Sequence, residues 1–289
     1  ASIQRRVDAL AVVHRYHFAE MEENRGFGLR AVLGELASSI RATAPEGTRV
    51  GIVLDIDTFY VTQDVAVAVA FLVTELVELA MPCLNETQVR ITLKPLDEPQ
   101  RAWLRGLVTQ RANILITGGT GTGKTTLLSA FLAEVPRHER IITIEDVAEL
   151  RPRHPHHVAL EARQANLEGA GAISLSRLVR ETLRMRPDRL VVGECRGEEV
   201  RDLLTALNTG HDGGAGTLHA SGLADVPARL EALGALAGMD AGALARQVVS
   251  AFTVVIHLER TTDGARRVAT VGRFRLAGER LAIDEVRPW

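Results

Sequence analysis

The chain has 289 residues, a formal net charge of −2, and 46% hydrophobic and 24% charged residues. This composition is typical of an ordinary globular protein, and the near-neutral charge argues against a dedicated nucleic-acid binder. The sequence has no apolar run long enough to span a membrane and no secretory signal. Cys83 and Cys195 lack metal-site spacing, so we expect reduced thiols and a cytoplasmic protein, with any membrane association peripheral at the inner face of the cell membrane.

The first part of the chain mixes helical and strand patterns. Apolar spacing predicts amphipathic helices over residues 3–22 and 28–41, strands over 51–56 and 88–93, and a further helix over 65–80. The pattern changes near Lys94 and Pro95. We therefore predict two domains, a smaller α+β module over residues 1–93 and a second domain over residues 96–289.

From residue 96 onward, predicted strands and helices alternate. The strands are 113–117, 140–144, 157–161, 189–193, 215–218 and 253–258, and the helices are 124–134, 174–185, 198–208, 223–237 and 240–250. This alternation indicates an α/β fold with a mostly parallel sheet and helices on its faces. A turn signal at Thr262, Asp263 and Gly264 predicts that the last strands form a hairpin added to the sheet.

Residues 118–125 read GGTGTGKT, which matches the phosphate-binding loop pattern G-x-x-x-x-G-K-[ST]. The loop stands between a predicted buried strand and a predicted helix, as a phosphate cradle requires. Lys124 is one of only two lysines in the chain, the other being Lys94. The alternative is a glycine-rich turn without a ligand. The predicted nucleotide-binding residues are Gly118, Gly119, Thr120, Gly121, Thr122, Gly123, Lys124, Thr125 and Thr126.

Carboxylates follow two of the other predicted strands. Glu145 and Asp146 end the strand at 140–144, and Glu194 follows the strand at 189–193. Ligands of such sheets bind at the carboxyl edge, where acids of this kind hold Mg²⁺ or activate water. The alternatives are helix capping for Asp146 and a solvated loop glutamate for Glu194. We predict Mg²⁺ ligands at Thr125, Asp146 and Glu194, with Glu194 as the principal catalytic carboxylate.

His219 follows the short strand at 215–218, in a third loop of the same sheet edge. A lone histidine there is more often structural. Its place beside the other two loops nevertheless makes sensing of a γ-phosphate a reasonable hypothesis.

Taken together, these stretches resemble the nucleotide-binding domain of the type II/type IV secretion ATPases, in particular the tight-adherence (Tad) pilus assembly ATPases. The resemblance covers residues 96–289, with ITGGTGTGKTTLL, TIEDVAEL, GECRG and GGAGTLHAS matching the family's phosphate loop, acidic box, Walker B strand and histidine box. It implies a RecA-like fold and a ring oligomer, expected to be a hexamer. It also implies hydrolysis of ATP with Mg²⁺ and partners in an inner-membrane secretion or pilus platform.

By the same resemblance, Glu145 and Asp146 position the metal and water, Glu194 is catalytic and His219 is the sensor. Arg163 is a candidate for a charge near the γ-phosphate, with a surface ion pair as its alternative. Cys195 stands where the family usually has an aliphatic residue, so we interpret it as a packing residue.

Residues 1–93 do not resemble the N-terminal domain of those ATPases. They resemble a degenerate fragment of a sensor histidine kinase, in which Thr74 and Leu79 stand where that family's Mg²⁺-binding helix carries asparagines. His14 matches a histidine of that family's second dimerisation helix and not the phosphoacceptor, so we assign it no phosphotransfer role. Two further hypotheses follow: a signalling or adaptor protein that binds nucleotide with little or no hydrolysis, and a small-molecule P-loop kinase, for which the sequence has neither a lid nor an acceptor site.

Overall fold

The computed structural model describes residues 11–13, 27–42, 49–57, 60–61, 63–80, 86–93, 98–165, 171–262 and 265–288. The chain divides into two compact units, Ala1–Leu96 and Asp97–Trp289. The helix predicted over 3–22 lies outside the described residues except for 11–13, which are helical. His14, Cys83, Lys94, Asp263 and Gly264 also lie outside them. Within the described ranges, no helix is long and apolar enough to cross a membrane.

The N-terminal unit combines helices with short pairs of strands. Its described elements are β1 (Phe27–Gly28), α1 (Leu29–Ala42), β2 (Arg49–Ile56), β3 (Tyr60–Val61), α2 (Gln63–Ala80) and β4 (Glu86–Leu93). Strands β2 and β4 pair in parallel, and β1 pairs with β3 in the antiparallel sense. Helix α1 buries an apolar stripe at three- and four-residue spacing, which explains its helical fold: Leu29, Val32, Leu33, Leu36, Ala37 and Ile40.

Thr74, on helix α2, lies inside the N-terminal unit. Its side chain is 1% exposed, and Oγ1 donates a hydrogen bond of 2.9 Å to the carbonyl of Ala70. The hydroxyl is thus used within the helix itself. In this structure Thr74 is a buried packing residue.

The C-terminal unit contains alternating strands and helices, most of which the sequence predicted. They are α3 (Glu98–Thr109), β5 (Ile114–Gly118), α4 (Lys124–Ala133), β6 (Ile141–Glu145), β7 (His157–Glu161), α5 (Leu175–Thr182), β8 (Arg189–Val192), α6 (Glu199–Leu207), β9 (Ala215–Leu218), α7 (Val226–Leu236), α8 (Ala241–Ala251), β10 (Val254–Arg260), β11 (Arg266–Ala277) and β12 (Arg280–Val286). The observed bounds of the predicted elements differ by a few residues, and short 3-10 turns precede α7 and follow α5. Helix α3 was not predicted.

Eight strands of this unit form one sheet in the order β12-β11-β10-β5-β9-β8-β6-β7. The strands from β10 to β7 in this order are parallel to their neighbours, whereas β11 and β12 add antiparallel pairings. Every residue of β5 and β6 is buried, which explains their continuous apolar pattern. The prediction of an α/β fold with a mostly parallel sheet and a C-terminal hairpin is confirmed.

The parallel strands end at one edge of the sheet. Thr117 of β5 is paired with Leu218 of β9, and Val192 of β8 with both Gly216 of β9 and Ile144 of β6. The loops that follow β5, β6, β8 and β9 therefore leave the sheet side by side. This edge brings together the motifs that lie up to a hundred residues apart in sequence.

Candidate functional site

The loop after β5 has the backbone of a phosphate cradle. Gly121 and Gly123 have φ angles of 72° and 97°, in the left-handed region that favours glycine. Gly118, with φ of 150°, lies so close to β10 that an added Cβ would be 2.5 Å from the carbonyl oxygen of Leu258. Thr122 Oγ1 donates to the carbonyl of Gly119 at 2.9 Å and holds the turn closed. Glycine is therefore required at three of the loop's positions.

Lys124 is the first residue of α4, and its ammonium lies inside the loop. Nζ donates hydrogen bonds of 3.0 Å to the carbonyls of Gly118 and Gly119, and it is 3.3 Å from Nε2 of His219. Burial lowers the pKa of Lys124, and the nearby Glu194 carboxylate acts in the opposite direction. The structure thus brings together the predicted phosphate-binding lysine and the predicted sensor histidine.

Glu145, the last residue of β6, shapes the acidic loop. Its Oε1 accepts hydrogen bonds from the backbone N–H groups of Glu149, at 3.2 Å, and Leu150, at 3.1 Å. Burial raises the pKa of this carboxyl group. The carboxylate lies so close to Gly193 that an added Cβ there would be 2.6 Å from Glu145 Cγ. Glu145 therefore joins two of the site's loops.

Glu194 lies between a histidine and an arginine. Its Oε1 is 3.4 Å from Nε2 of His219, and its Oε2 accepts a hydrogen bond of 2.7 Å from Nε of Arg196. Arg196 Nη1 is also 3.9 Å from Oδ2 of Asp146. Arg196 was not among the predicted site residues, although its position two residues after Glu194 on the same loop is a signal that could have identified it.

Two other residues of the site were also missed. Oγ1 of Thr125 donates to Oε2 of Glu149 at 3.4 Å, so Glu149 lies beside a predicted metal ligand. Arg266, at the start of β11, donates from Nε to the carbonyl of Gly121 at 2.9 Å. Glu149 belongs to the acidic motif and could have been proposed from sequence. Arg266 could not, because it is far from the loop in sequence.

These groups surround one cavity of about 430 Å³ at the sheet edge. Its lining residues are Thr120, Gly121, Gly123, Lys124, Thr125, Thr126, Glu145, Asp146, Val147, Glu149, Gly193, Glu194, Arg196, Thr217, His219 and Arg266. Gly118, Gly119 and Thr122 form the wall of the loop behind Lys124. Three cationic side chains and four carboxylates therefore meet at a loop built to bind an anion, which is an arrangement suited to phosphate and metal together.

Arg163 is the one predicted catalytic residue that does not line this cavity. It forms an isolated bridge with Ile173, and its Nε donates to the carbonyl of Gly171 at 2.7 Å. It lines a separate cavity of about 340 Å³, together with Asp146 and Arg196. Its role near a γ-phosphate remains a prediction.

Cys195, between Glu194 and Arg196 in sequence, points away from the cavity. The thiol is buried in the core of the C-terminal unit, 3% exposed, and burial raises its pKa. A thiol in this state is a poor nucleophile. The structure is consistent with the packing role predicted for Cys195.

Comparisons with known proteins place these features in a family context. Residues 42–281 match the family model described as "Type II/IV secretion system protein". The "Putative conjugal transfer protein Rv3659c" of Mycobacterium tuberculosis is 54% identical over 194 residues, which is 67% of this chain and 54% of that protein. Conjugal transfer protein TrbB of Rhizobium radiobacter is 36% identical over 180 residues, 61% of this chain and 53% of that protein.

Among solved structures, the VirB11 ATPase from the Brucella suis type IV secretion system is similar, with a TM-score of 0.51 and 31% identity. The match covers 60% of this chain and 51% of that one. It supports the predicted RecA-like fold of the C-terminal unit. The chain spans about half the length of the curated relatives that it matches.

The family match also extends into the N-terminal unit. It starts at residue 42, well before the boundary at residue 96 from which the sequence resemblance was drawn. The comparisons give no support to a histidine kinase fragment in residues 1–93.

Proposed function

The chain belongs to the type II/IV secretion system protein family, and from this premise we propose that it is an ATP-hydrolysing motor subunit that powers pilus assembly or protein export. Family membership alone does not say which groups perform the reaction. The geometry of the cavity supports specific assignments for them.

One observation carries the proposal: groups from three separate loops converge in one cavity. Nε2 of His219 lies 3.3 Å from Lys124 Nζ and 3.4 Å from Glu194 Oε1. Hydrolysis of a nucleoside triphosphate needs a cation at the phosphates and a group that orients or activates the attacking water. Lys124 and Glu194 are suited to these roles, and His219 contacts both, as a sensor of the γ-phosphate would.

The loop and Lys124 fit the phosphates of ATP. The glycine backbone leaves N–H groups available to an anion, and the start of α4 adds the positive end of its helix dipole. In this proposal residues 118–126 hold the phosphates, and Lys124 exchanges its contacts with Gly118 and Gly119 for the β- and γ-phosphates. Arg196 and Arg266 lie where they can add positive charge at two other sides of the cavity.

The oxygen donors of the cavity fit Mg²⁺. Thr125, Asp146 and Glu194 offer the hydroxyl and carboxylate oxygens that this ion prefers. Among the described residues, no group of three or more His, Cys, Asp or Glu side chains could hold a metal ion by itself. Mg²⁺ would therefore need phosphate oxygens and water to complete its coordination, and when bound it would neutralise charge on those phosphates.

Further parts of the proposal concern assembly and place in the cell. We propose a ring of identical subunits, expected to be a hexamer, that docks on the inner-membrane platform of a secretion or pilus system. In this arrangement the protein is cytoplasmic or peripheral at the inner face of the cell membrane. The relatives named as conjugal transfer proteins and the VirB11 ATPase of a type IV secretion system support this class of system.

The experiment is to measure Mg²⁺-dependent phosphate release by the full chain and by two variants, Lys124→Ala and Glu194→Gln. We expect Lys124→Ala to lose both nucleotide binding and hydrolysis, because the cation for the phosphates is removed. We expect Glu194→Gln to bind ATP but to lose hydrolysis by at least about a hundredfold. Glu181→Gln is the matched control, since Glu181 is an exposed helical residue outside the cavity.

Wild-type turnover in either cavity variant would contradict the site assignment. Tight ATP binding by the wild-type chain with no hydrolysis, in the monomer or in assembled rings, would instead support the adaptor hypothesis. Measuring the mass in solution with and without a non-hydrolysable ATP analogue tests the ring. A mass that stays monomeric with the analogue would contradict ring assembly.

A further inference from the structure

His257 is a buried histidine that the proposed reaction does not use. It lies on β10 and is 4% exposed. Its neighbours along the strand, Val254, Val255, Ile256 and Leu258, are all buried and apolar. An imidazole costs free energy in such surroundings unless its two nitrogens find partners. An aliphatic residue would fill this strand position without that cost, so core packing alone does not explain why a histidine is present.

The imidazole has two polar contacts, one to strand β5 and one to the backbone of the loop after β9. Nδ1 is 2.9 Å from Oγ1 of Thr117, and the ring is also hydrogen-bonded to the backbone of Ser221. A neutral imidazole has one donor and one acceptor, so it can satisfy these two partners at once. Burial lowers the pKa of His257, which keeps the ring neutral at pH 7.

The two partners of His257 stand directly next to catalytic elements. Thr117 immediately precedes Gly118, where the phosphate loop begins, and Ser221 lies two residues after His219. Thr117 is fully buried and is paired with His257 on one side and with Leu218 on the other. His257, Thr117 and Leu218 therefore lie side by side on β10, β5 and β9. At this point the phosphate loop and the His219 loop leave the sheet.

Gly118, the first residue of the phosphate loop, also packs closely against β10. An added Cβ at Gly118 would lie 2.5 Å from the carbonyl oxygen of Leu258, the residue after His257. Lys124 in turn contacts the carbonyls of Gly118 and Gly119 and the ring of His219. The imidazole of His257 thus contacts β5 directly before the phosphate loop and also the loop that carries His219, and Lys124 contacts both of these loops.

We propose that His257 is a positioning residue for ATP hydrolysis, which fixes the phosphate loop and the His219 loop relative to each other through Thr117 and Ser221. This inference rests on the proposed ATPase function. Small displacements of catalytic groups are costly, since about 1 Å can lower a rate by roughly a hundredfold. We therefore expect loss of the imidazole to affect kcat far more than nucleotide affinity.

The test uses the full chain with His257→Leu, His257→Gln, Thr117→Val and the double variant Thr117→Val with His257→Leu. We expect His257→Leu to lower kcat by at least about tenfold with KM within about threefold of wild type. His257→Gln retains a donor and an acceptor and should recover most of kcat. The double variant should be no worse than His257→Leu, because both changes remove the same link.

Ile256→Val is the matched control for a loss of stability. It changes the adjacent core residue of β10 without removing a polar contact, and its melting temperature should fall modestly. If its kcat falls as far as that of His257→Leu, the effect is structural and the inference is overturned. The inference is also overturned if His257→Leu turns over like wild type, or if His257→Gln is no better than His257→Leu.

A second measurement does not depend on hydrolysis. The ring of His219 can be followed by NMR of 15N-labelled histidine in the full chain. If His257 positions the His219 loop, the His219 signals shift in His257→Leu and return towards wild type in His257→Gln. Unchanged His219 signals in His257→Leu would overturn the inference, whereas absence of hydrolysis in the wild-type chain would contradict only the proposed function.

Discussion

Arg196 and Glu194 form an ion pair in the cavity, with Arg196 Nε 2.7 Å from Glu194 Oε2. The Arg196 guanidinium also lies within 3.9 Å of Asp146, so one arginine faces two of the carboxylates predicted to work on the metal and on water. Its side chain is 63% exposed, and the hydrogen bond to Glu194 raises its pKa. A phosphate group entering the cavity would compete with Glu194 for this guanidinium.

We therefore predict that Arg196→Ala lowers kcat/KM for ATP by about a hundredfold. The variant loses positive charge beside the phosphates and leaves Glu194 without the contact that orients it. Steady-state phosphate release over a range of ATP concentrations measures the change. Arg275→Ala is the control, because Arg275 pairs with Asp284 on the hairpin and does not line the cavity. Equal kinetics for the two variants would refute a role for Arg196.

The second prediction concerns the pH dependence contributed by His219. Burial, followed by the charge of Lys124, lowers the pKa of His219 below its ordinary value of 6.5. The ring is therefore neutral at pH 7, and we expect any fall in kcat caused by its protonation only below pH 6.5. Because the folded-state pKa of His219 lies below the unfolded value of 6.5, the contribution of His219 to the free energy of unfolding is fully present above pH 6.5. That contribution is lost as the pH falls through the folded-state pKa.

The measurement is kcat from pH 5 to 8 for the wild type and for His219→Gln, which cannot titrate. We expect the acid limb of the wild-type profile to weaken or vanish in the variant. An NMR titration of the His219 ring gives its pKa directly. A midpoint above 6.5 in the nucleotide-free chain would show that the prediction is wrong.

The third prediction concerns Glu145, whose carboxyl pKa is raised by burial. A raised folded-state pKa means that the contribution of Glu145 to stability is fully present below its ordinary pKa of 4.5. That contribution is lost as the pH rises through the folded-state value. We predict that the free energy of unfolding of wild type relative to Glu145→Gln decreases as the pH rises above 4.5.

Urea unfolding at several pH values between 4 and 7 measures this difference. Glu145→Ala is a useful second variant, since it cannot titrate and also removes the acceptor for the N–H groups of Glu149 and Leu150. It should be less stable than Glu145→Gln at every pH by about 1–3 kcal/mol. A difference between wild type and Glu145→Gln that stays constant with pH would contradict the assignment.

The fourth prediction concerns a buried ion pair away from the cavity. Arg189 Nε donates to Oε2 of Glu139 at 2.6 Å, with the two side chains 3% and 9% exposed. Arg189 also donates to the carbonyl of Val108, and it packs so tightly that Gly213 opposite has no room for a Cβ. We predict that Arg189→Ala destabilises the C-terminal unit by about 1–3 kcal/mol, because buried Glu139 loses one of its two arginine partners and keeps Arg111 Nη1 at 3.0 Å.

Urea unfolding at pH 7 measures this loss. Arg105→Ala is the control, because Arg105 and Glu134 form a comparable pair with side chains that are 61% and 49% exposed. We expect that variant to change the free energy of unfolding by less than about 1 kcal/mol. Similar effects for Arg189→Ala and Arg105→Ala would show that burial does not decide the outcome.

Much of the C-terminal unit could be predicted from sequence because its signals are local. Buried strands show continuous apolar runs, and the loop pattern ending in Lys124 and Thr125 has its own spacing. Glu145, Asp146, Glu194 and His219 were identified because each follows such a strand. Helix α3 was not predicted, although its buried residues Leu104, Leu107 and Val108 follow helical spacing.

Arg266 and His257 could not be found in the same way. Arg266 contacts a loop 145 residues earlier in the chain, and His257 meets Thr117 across 140 residues. No local pattern records such contacts, because they arise only when β10 pairs with β5 and β11 pairs with β10. Arg163 is the opposite example. Its position in a family motif suggested that it lines the phosphate-loop cavity, but in the structure it lines a separate cavity.

By itself, the sequence determined that this protein has a phosphate loop between a buried strand and a helix, with acids and a histidine at the ends of later strands. The loop, the strand and the helix depend on backbone sterics and on apolar patterns that extend over a few residues, so the sequence alone is enough to predict them. Only the tertiary structure decided which strands are neighbours, and hence that Lys124, Glu194 and His219 meet in one cavity with Arg196 and Arg266. The order of strands depends on how the faces of the sheet pack against the helices. It is therefore set by the complete unit and cannot be read from any single segment.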